Sequence, residues 1–476
     1  MLTEAIQMQV LFSILDGGVR CRYGWQRDFE TIQTYRDFIE RTPIVGYEDL
    51  ESDIEAMKSG REDLLWPGKV DRYAVSAGTT GEGKHLPLTD GRMLCDRKFM
   101  QRIAWKYFKK HPNPFTHAGT YLSLPGTVEQ KNGILLGEIS GFSATQSAWW
   151  LRPFHLDSPK KLAFMTFREK FDRVYDKALH SDLHGIIAVP SWILTLFQRA
   201  LEQTGKSSVA EIWPNLELIV AGGVKLANYR SHLDKLADGL DIDYIETYGA
   251  SEGYFGFSGQ PGDDDLELVY DNGVFYEFIP NPLPDPDSLP IQEAVPLWEV
   301  ETDLPYAMVV TTNAGLWRYG MNDVVTFTSV DPPRIKVSGR ISEMLDEYGE
   351  ALHIQEAEQA LKEASKEIGK ETTAFSIASV LSSEHDLPHH RWFVQFSEPV
   401  HTDTLKRMAA ALDDKIREMN RHYAIRRESN ALGQPTIQSI TQSDINAWLD
   451  YSGRHSAQGK LPRVLRDEDD LEFFSK

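Results

Sequence analysis

The sequence predicts an α/β fold: a large N-terminal domain of mixed β-sheets with flanking helices, and a small α+β domain at the C-terminus. Three observations predict it. The chain has 476 residues, more than the roughly 250–300 at which one core stops growing. Short apolar, β-rich runs alternate with helical-period runs through most of the first 340 residues. After the Gly-containing polar stretch GRISEMLDEYGEALH the pattern changes to helix, strand, strand, long helix. These features set a large domain over 1–338, a hinge over 339–349 and a small mobile domain over 350–476.

Taken in order, MQVLFSIL near the start is preceded by Glu4 and lacks a basic flank, so it reads as part of an amphipathic helix rather than a signal peptide. TDGRMLCDRKFMQRIAWKYFKKH opens with an N-cap, Thr89 or Asp90, and continues at helical spacing. LELIVAGG (216–223), LANYRSHLDKLADG and IDYIETY (242–248) form a strand, a helix and a strand. Six prolines between 280 and 296 predict a surface loop without regular structure. YAMVVTT (306–312) and DVVTFT (323–328) are strand-like, and the small domain reads as helix 354–366, strands 373–381 and 391–397, helix 402 to about 426 and helix 443–450.

Composition narrows the function classes. At 41% hydrophobic and 25% charged the chain is of the globular class. A net charge of −21 repels a phosphate backbone, so nucleic acid is not an expected partner, and an anionic substrate would need a local patch of cations or a metal ion. Two cysteines, Cys21 and Cys95, make neither a disulfide framework nor a CxxC site. No run approaches the ~20 apolar residues of a membrane helix, and a cytoplasmic protein is expected.

SAGTTGEGKH (76–85) contains G-x-x-x-x-G-K, the front of a Walker A loop. That motif needs Ser or Thr after the lysine and an immediate helix, whose N-terminal amides meet the phosphates. Here His85-Leu86-Pro87 follows, and proline postpones the helix. What remains is a glycine-permitted loop with hydroxyls at Ser76, Thr79 and Thr80 and a cation at Lys84, either a phosphate cradle or a polar turn after a strand.

Three further stretches bear on that choice. ETYGASEGYFG (246–256) sets Tyr248, Gly249, Ser251 and Glu252 at a strand end, where open α/β sheets place ligand-binding groups. GLWRYGMNDVVTF (315–327) brings Arg318 and Asp323 just before a strand, and GRISEMLDEYGEALHIQEAE (339–358) follows. Together with AGGVKLANYR, HHRWFVQF, NRHYAIRR and QGKLPRV, these stretches resemble the ordered motifs of the adenylate-forming superfamily. Within it the chain is similar to the bacterial-type members of the Gretchen-Hagen acyl acid amido synthetases.

The resemblance implies an enzyme that adenylates a small carboxylic acid with ATP and Mg2+, releases pyrophosphate and passes the acyl group to an amine, usually an amino acid. Its alternatives are an acyl-CoA synthetase sharing the first step and a non-catalytic nucleotide-binding relative. A carboxylate approaching a phosphate at ~4 Å, with an effective dielectric of ~20, meets a repulsion of about 4 kcal/mol per unit pair, so cations are required. The resemblance gives the phosphates to Ser76, Ala77, Thr79, Thr80 and Lys84, Mg2+ to Glu252 and the ribose hydroxyls to Asp323. It places Gly222, Gly223 and Tyr248 about the adenine with Gly249 and Ser251 beside them, directs Arg340 to ribose or phosphate, and gives Lys460 transition-state charge stabilisation.

Three positions depart from the family pattern: Ala77 replaces a serine, Asn322 stands where glycine is common, and Asp346 lies where many acyl-CoA synthetases carry a hinge lysine. Asn tolerates positive φ, so the turn at 322 is expected to survive. Trp149 and Trp192 are candidate acyl-pocket residues, with core packing as the other role. Asn420, Tyr423 and Arg427 share a helical face and either brace the small domain or meet the amine. HSDLH (180–184) has a zinc-like spacing without a third ligand, and GASEG lacks the later Asp and His of a hydrolase triad.

Overall fold

In a computed structural model the protein is described over residues 2–75, 84–111, 119–147, 149–223, 225–260, 262–282, 294–340, 345, 348, 350, 352–380, 387–428, 431–452, 461–466 and 468–475. Strands β1 (Arg72–Val75) and β2 (His85–Pro87) flank residues 76–83, and β3 (Thr120–Ser123), β4 (Val128–Lys131) and β5 (Ile134–Gly137) follow the helix Asp90–Lys110. Next come β6 (Leu183–Ala188), β7 (Leu218–Gly222), β8 (Asp243–Ala250), β9 (Gly253–Ser258), β10 (Leu266–Leu268) and β11 (Val274–Pro280). Then follow β12 (Val295–Pro296), β13 (Pro305–Thr312), β14 (Tyr319–Val330) and β15 (Pro333–Arg340). The C-terminal part adds β16 (Thr372–Val380), β17 (His389–Phe396), β18 (Thr436–Ile440) and β19 (Val464–Leu465).

The main sheet has eleven strands in the order β12-β11-β13-β14-β15-β10-β9-β8-β7-β6-β3. Its β3-β6-β7-β8 half is parallel and the remainder antiparallel. The parallel half is built by helices whose ends are written into the sequence. Phe167–Leu179 starts on a Thr166–Glu169 capping box, and Pro190–Thr204 has proline in its first turn and Gly205 left-handed at its end. Ala227–Leu236 joins β7 to β8. These helices bury Ile193, Phe197 and Trp213 against Ile186 and Ile219. A second sheet, β2-β1-β5-β4, carries the strand pair around residues 76–83.

The antiparallel half is covered by the N-terminal helices. Leu2–Gly18 buries Leu11, Ile14 and Leu15 in a core shared with Trp317, Tyr276 and Phe327. Gln7, fully buried in that helix, donates to the Tyr270 and Val274 carbonyls and accepts from the Tyr276 amide at 2.8 Å. Residue 45 joins β14 as a single bridge: the Val45 amide donates to Arg318 O at 3.0 Å, and the Gly320 amide donates to Val45 O at 2.9 Å. Arg318 holds this strap from below, with Nη1 on Thr42 O at 2.7 Å and two nitrogens on the buried Glu277 carboxylate, which also accepts from Tyr35 OH.

In the C-terminal part, β18-β17-β16-β19 form a third sheet. Helices Ile354–Ile368 and Thr402–Met419 bury Leu361, Met408 and Leu412 with Phe375 and Trp392. Trp448 and Phe474 pack with Phe393 in a separate cluster. Leu345 and Leu352, both fully buried in the first of these cores, pair through two backbone hydrogen bonds of 3.0 and 2.8 Å.

Several sequence expectations change. The single helix expected over 402 to about 426 is two, Thr402–Met419 and Arg421–Glu428, because Asn420 leaves helical geometry (φ −118°, ψ 108°) and caps the second through the Tyr423 amide. Within the proline-rich segment, Val295–Pro296 pairs with β11 at the sheet edge, where a missing N–H costs no ladder bond. Asp323 lies inside β14 rather than before it, and His180 and His184 fall on a helix end and on β6, not on one helix. Among the described residues no helix is long and apolar enough to cross a membrane.

Candidate active site

The carboxyl ends of β6, β7 and β8 point to one edge of the large domain, the position where parallel sheets present loops to ligands. β7 ends in Gly222, and Gly223 follows it directly. A Cβ at 222 would sit 2.2 Å from Thr247 Oγ1, and Gly223 takes φ +80°, so neither position accommodates a side chain without strain. The turn beyond is fixed by the Leu226 amide, which donates to Glu246 Oε1 at 2.9 Å.

From β8 the chain reverses into β9 through Ser251 and Glu252 alone, with Gly249 opposite Tyr254 in the pairing. Tyr248, two residues before the end of β8, is buried and donates from its hydroxyl to Asp323 Oδ2 at 2.6 Å. Asp323 is itself only 7% exposed. Its place on β14 depends on a register shift opposite Ala307–Val309, next to Asn322 at φ +63°. The expected tolerance of asparagine for that geometry is met.

Lys84 lies on the same side. Its Nζ is 4.0 Å from Glu48 Oε1 and 5.4 Å from the Tyr47 ring centre. The next amide, His85 N, donates to Tyr47 OH at 3.1 Å. Tyr47 and Glu48 open the helix Tyr47–Lys58, which the residue-45 strap carries to β14. Tyr319, on the strand after Arg318, is buried, and burial first, then the charges of Glu252, Glu48, Tyr47 and Asp323, push its hydroxyl well above the usual tyrosine range. Burial and the Asp323 carboxylate do the same to Tyr248. Both phenols therefore stay neutral among carboxylates.

Lys84, Tyr248, Glu252 and Asp323 are thus brought toward one region with Gly222 and Gly223. Arg340 ends β15 with its backbone paired to Asp323. Ser76, Ala77, Thr79, Thr80 and Lys460 lie outside the described residues, as do the side chains of Trp149 and Arg340. Near Lys460 in sequence, Arg463 packs over the Phe375 ring at 4.4 Å, and its charge reaches the Tyr229 hydroxyl on the helix that follows Gly223. Trp192 is 4% exposed and packs in the helix-side core. Tyr423 and Arg427 both bind Asp413, and Asn420 donates to Glu356, so this trio braces the small domain.

Tyr47, Glu48 and Tyr319 join this region without being among the residues expected there from the sequence. Tyr319 adjoins Arg318 in a quoted motif and was the available signal, whereas Tyr47 and Glu48 carry no motif at all. Among the described residues no three His, Cys, Asp or Glu side chains form a metal cage by themselves. Glu252 offers one hard oxygen donor, the number with which Mg2+ is commonly held when phosphate oxygens complete its shell. Paired glycines for a flat base, a buried carboxylate for hydroxyl groups and a cation beside a glycine loop form a donor set that fits a magnesium nucleotide.

Family models match along most of the chain in order: the GH3 family N-terminal domain over residues 2–175, the central domain over 267–340 and the C-terminal domain over 355–469. The chain belongs to the GH3 family. Among curated GH3 relatives it is similar to the indole-3-acetic acid-amido synthetase GH3.4 of Arabidopsis thaliana, 22% identical over 97% of this chain and 89% of that protein. It is also similar to GH3.8 of Oryza sativa subsp. indica, 25% identical over 97% and 88%. Among solved structures, the GH3.15 acyl acid amido synthetase superposes with a TM-score of 0.81 at 18% identity, covering 100% of this chain and 93% of its own. A 2-hydroxyisobutyryl-CoA ligase in its postadenylation state gives 0.60 at 12% identity, covering 100% and 91%. The GH3 fold is thus a mixed α/β large domain followed by a smaller C-terminal one.

Proposed function

We propose that this GH3 protein is an ATP-dependent acyl acid amido synthetase, which activates a small carboxylic acid as its acyl-adenylate and transfers the acyl group to an amino acid. The observation that carries the reading is the Tyr248–Asp323 hydrogen bond beside the Ser251-Glu252 turn, at the strand ends of a GH3 fold. The names of the curated relatives supply the class of acid and the amide product.

In the first step a carboxylate oxygen of the acid attacks the α-phosphorus, and the bond to the bridging oxygen breaks to release pyrophosphate. Gly222 and Gly223 admit the adenine, with Tyr248 at its edge and Gly249 and Ser251 beside it, and Asp323 accepts from the ribose hydroxyls. Lys84, with Ser76, Thr79, Thr80 and the backbone at Ala77, offsets the charge of the phosphates. Glu252 would hold Mg2+, which when bound supplies positive charge against the phosphates. Arg340 and Lys460 would add positive charge where negative charge develops on the phosphates. In the second step the amine nitrogen attacks the acyl carbon and loses a proton, and AMP departs with the former carboxylate oxygen. The small domain, 350–476, turns about the 339–349 segment between the steps to admit the amine.

The test is ATP–pyrophosphate exchange across a panel of carboxylic acids, followed by product analysis with amino acids or coenzyme A. Acid-stimulated exchange, AMP as product and an amide rather than a thioester are expected; no exchange with any acid despite ATP binding defeats the proposal. Glu252→Ala is expected to abolish exchange with an unchanged urea midpoint, and retained exchange removes Glu252 from the metal site.

A further inference from the structure

Arg92 is fully buried on the first turn of the helix Asp90–Lys110, and its only charge partner among the described residues is Asp96, one turn on and 1% exposed. Nε donates to Asp96 Oδ1 at 3.0 Å, and Nη2 lies 2.9 Å from the same oxygen. Neither terminal nitrogen finds a hydrogen-bond acceptor among the described residues. A buried ion pair so incompletely satisfied is a poor stabiliser, and well-packed apolar residues of similar volume often serve the fold as well or better. The pair therefore needs a reason other than core stability.

Its surroundings supply one. The guanidinium lies against Gly253, the residue immediately after Glu252: a Cβ there would stand 3.4 Å from Arg92 Cζ and 3.6 Å from Nη1. A Cβ at those distances would make ordinary contact with the guanidinium, so the two groups are close neighbours, and it is the backbone of Gly253, at φ +151°, that a side chain would strain. Two turns along the helix from Arg92, Phe99 stacks on the Tyr254 ring at 5.1 Å, and that ring lies over Gly249 on the opposite strand. Ser143 Oγ meets the Tyr254 hydroxyl at 3.4 Å from the neighbouring helix. Arg92, Asp96 and Phe99, at i, i+4 and i+7, thus form one stripe under the hairpin, and Arg92 sits below the end that carries Glu252.

We infer that Arg92, fixed by Asp96, is a positioning residue for the Ser251-Glu252 turn, setting the height of the Glu252 carboxylate for Mg2+ bound with nucleotide. The inference rests on Glu252 as the metal ligand in the function proposed above. Arg92 touches neither nucleotide nor metal and acts through the Gly253 backbone, as supports behind metal ligands commonly do.

The experiment measures ATP binding to the full chain by calorimetry, in EDTA and across a Mg2+ series, for wild type, Arg92→Lys and the double variant Arg92→Met/Asp96→Leu, with urea unfolding of each. The double variant removes both buried charges and is expected to keep the wild-type urea midpoint and ATP affinity in EDTA. Its Mg2+ requirement for enhanced ATP binding is expected to rise roughly 10- to 100-fold, the range for losing a support behind a metal ligand. Arg92→Lys, which keeps the charge but not the flat group under Gly253, is expected to shift in the same direction. Wild-type Mg2+ half-saturation in either folded variant overturns the inference, as does a wild-type ATP affinity indifferent to Mg2+. Mg2+-dependent ATP binding in a wild type that performs no acid-stimulated exchange counts against the proposed activity alone.

Discussion

The bond between Tyr248 and Asp323 joins two strands whose residues are 75 apart in sequence. Removing this donor takes one hydrogen bond from a buried carboxylate, so Tyr248→Phe is expected to lower stability by about 1–3 kcal/mol. It should also weaken nucleotide binding, because Asp323 loses one of the contacts that orient it. Urea titration and the ATP dependence of exchange check both effects, and an unchanged ATP dependence would separate Tyr248 from the nucleotide site. At this scale the sequence was informative where chemistry and motif coincide: Tyr248, Glu252 and Asp323 are readable because their neighbours are glycines and strand formers. Tyr47 and Glu48 were not readable. Their place beside Lys84 is decided by a backbone bridge from residue 45 to β14, which no local pattern announces.

Elements were legible in proportion to their length and caps. The helix at 90–110 starts on Thr89, and β7, the helix after it and β8 fall within a few residues of their expected positions, because apolar spacing and glycine ends agree there. The two-residue strands β12 and β19 carry no period at all, and the break at Asn420 is a side-chain cap inside a continuous helical pattern. One element invites a pH experiment. Glu350, fully buried at the entrance to the small domain, accepts from the Tyr348 amide and contacts His390 Nε2 at 2.8 Å. Although burial acts on it in the raising direction, His390 and backbone amides together hold its carboxyl below the ordinary value of about 4.3. A carboxyl depressed on folding adds stability above its unfolded value and loses it as pH falls through the folded one. Glu350→Gln is therefore expected to flatten the fall in urea midpoint below about pH 4. A fall as steep as the wild type's would mean the pair contributes nothing in acid.

At the scale of the whole molecule, Leu345 and Leu352 belong to the C-terminal core, while β15 up to residue 340 belongs to the main sheet. A fragment of residues 345–476 is accordingly expected to unfold in one cooperative urea transition with native-like circular dichroism; a gradual loss of signal would show that it borrows its stability from the large domain. The opposite holds for the N-terminus. Gln7 finds its three backbone partners at Tyr270, Val274 and Tyr276, and residue 45 finds its own at Arg318 and Gly320. On a ribosome adding about 5–20 residues per second, the strap at residue 45 waits roughly 15 to 55 s for β14 to be made. Its apolar helices pass that interval without the surface they are shaped to cover. Residues 2–45 are thus made well before the strands they settle on, and the edge of the candidate site that they carry closes only once β14 has been made.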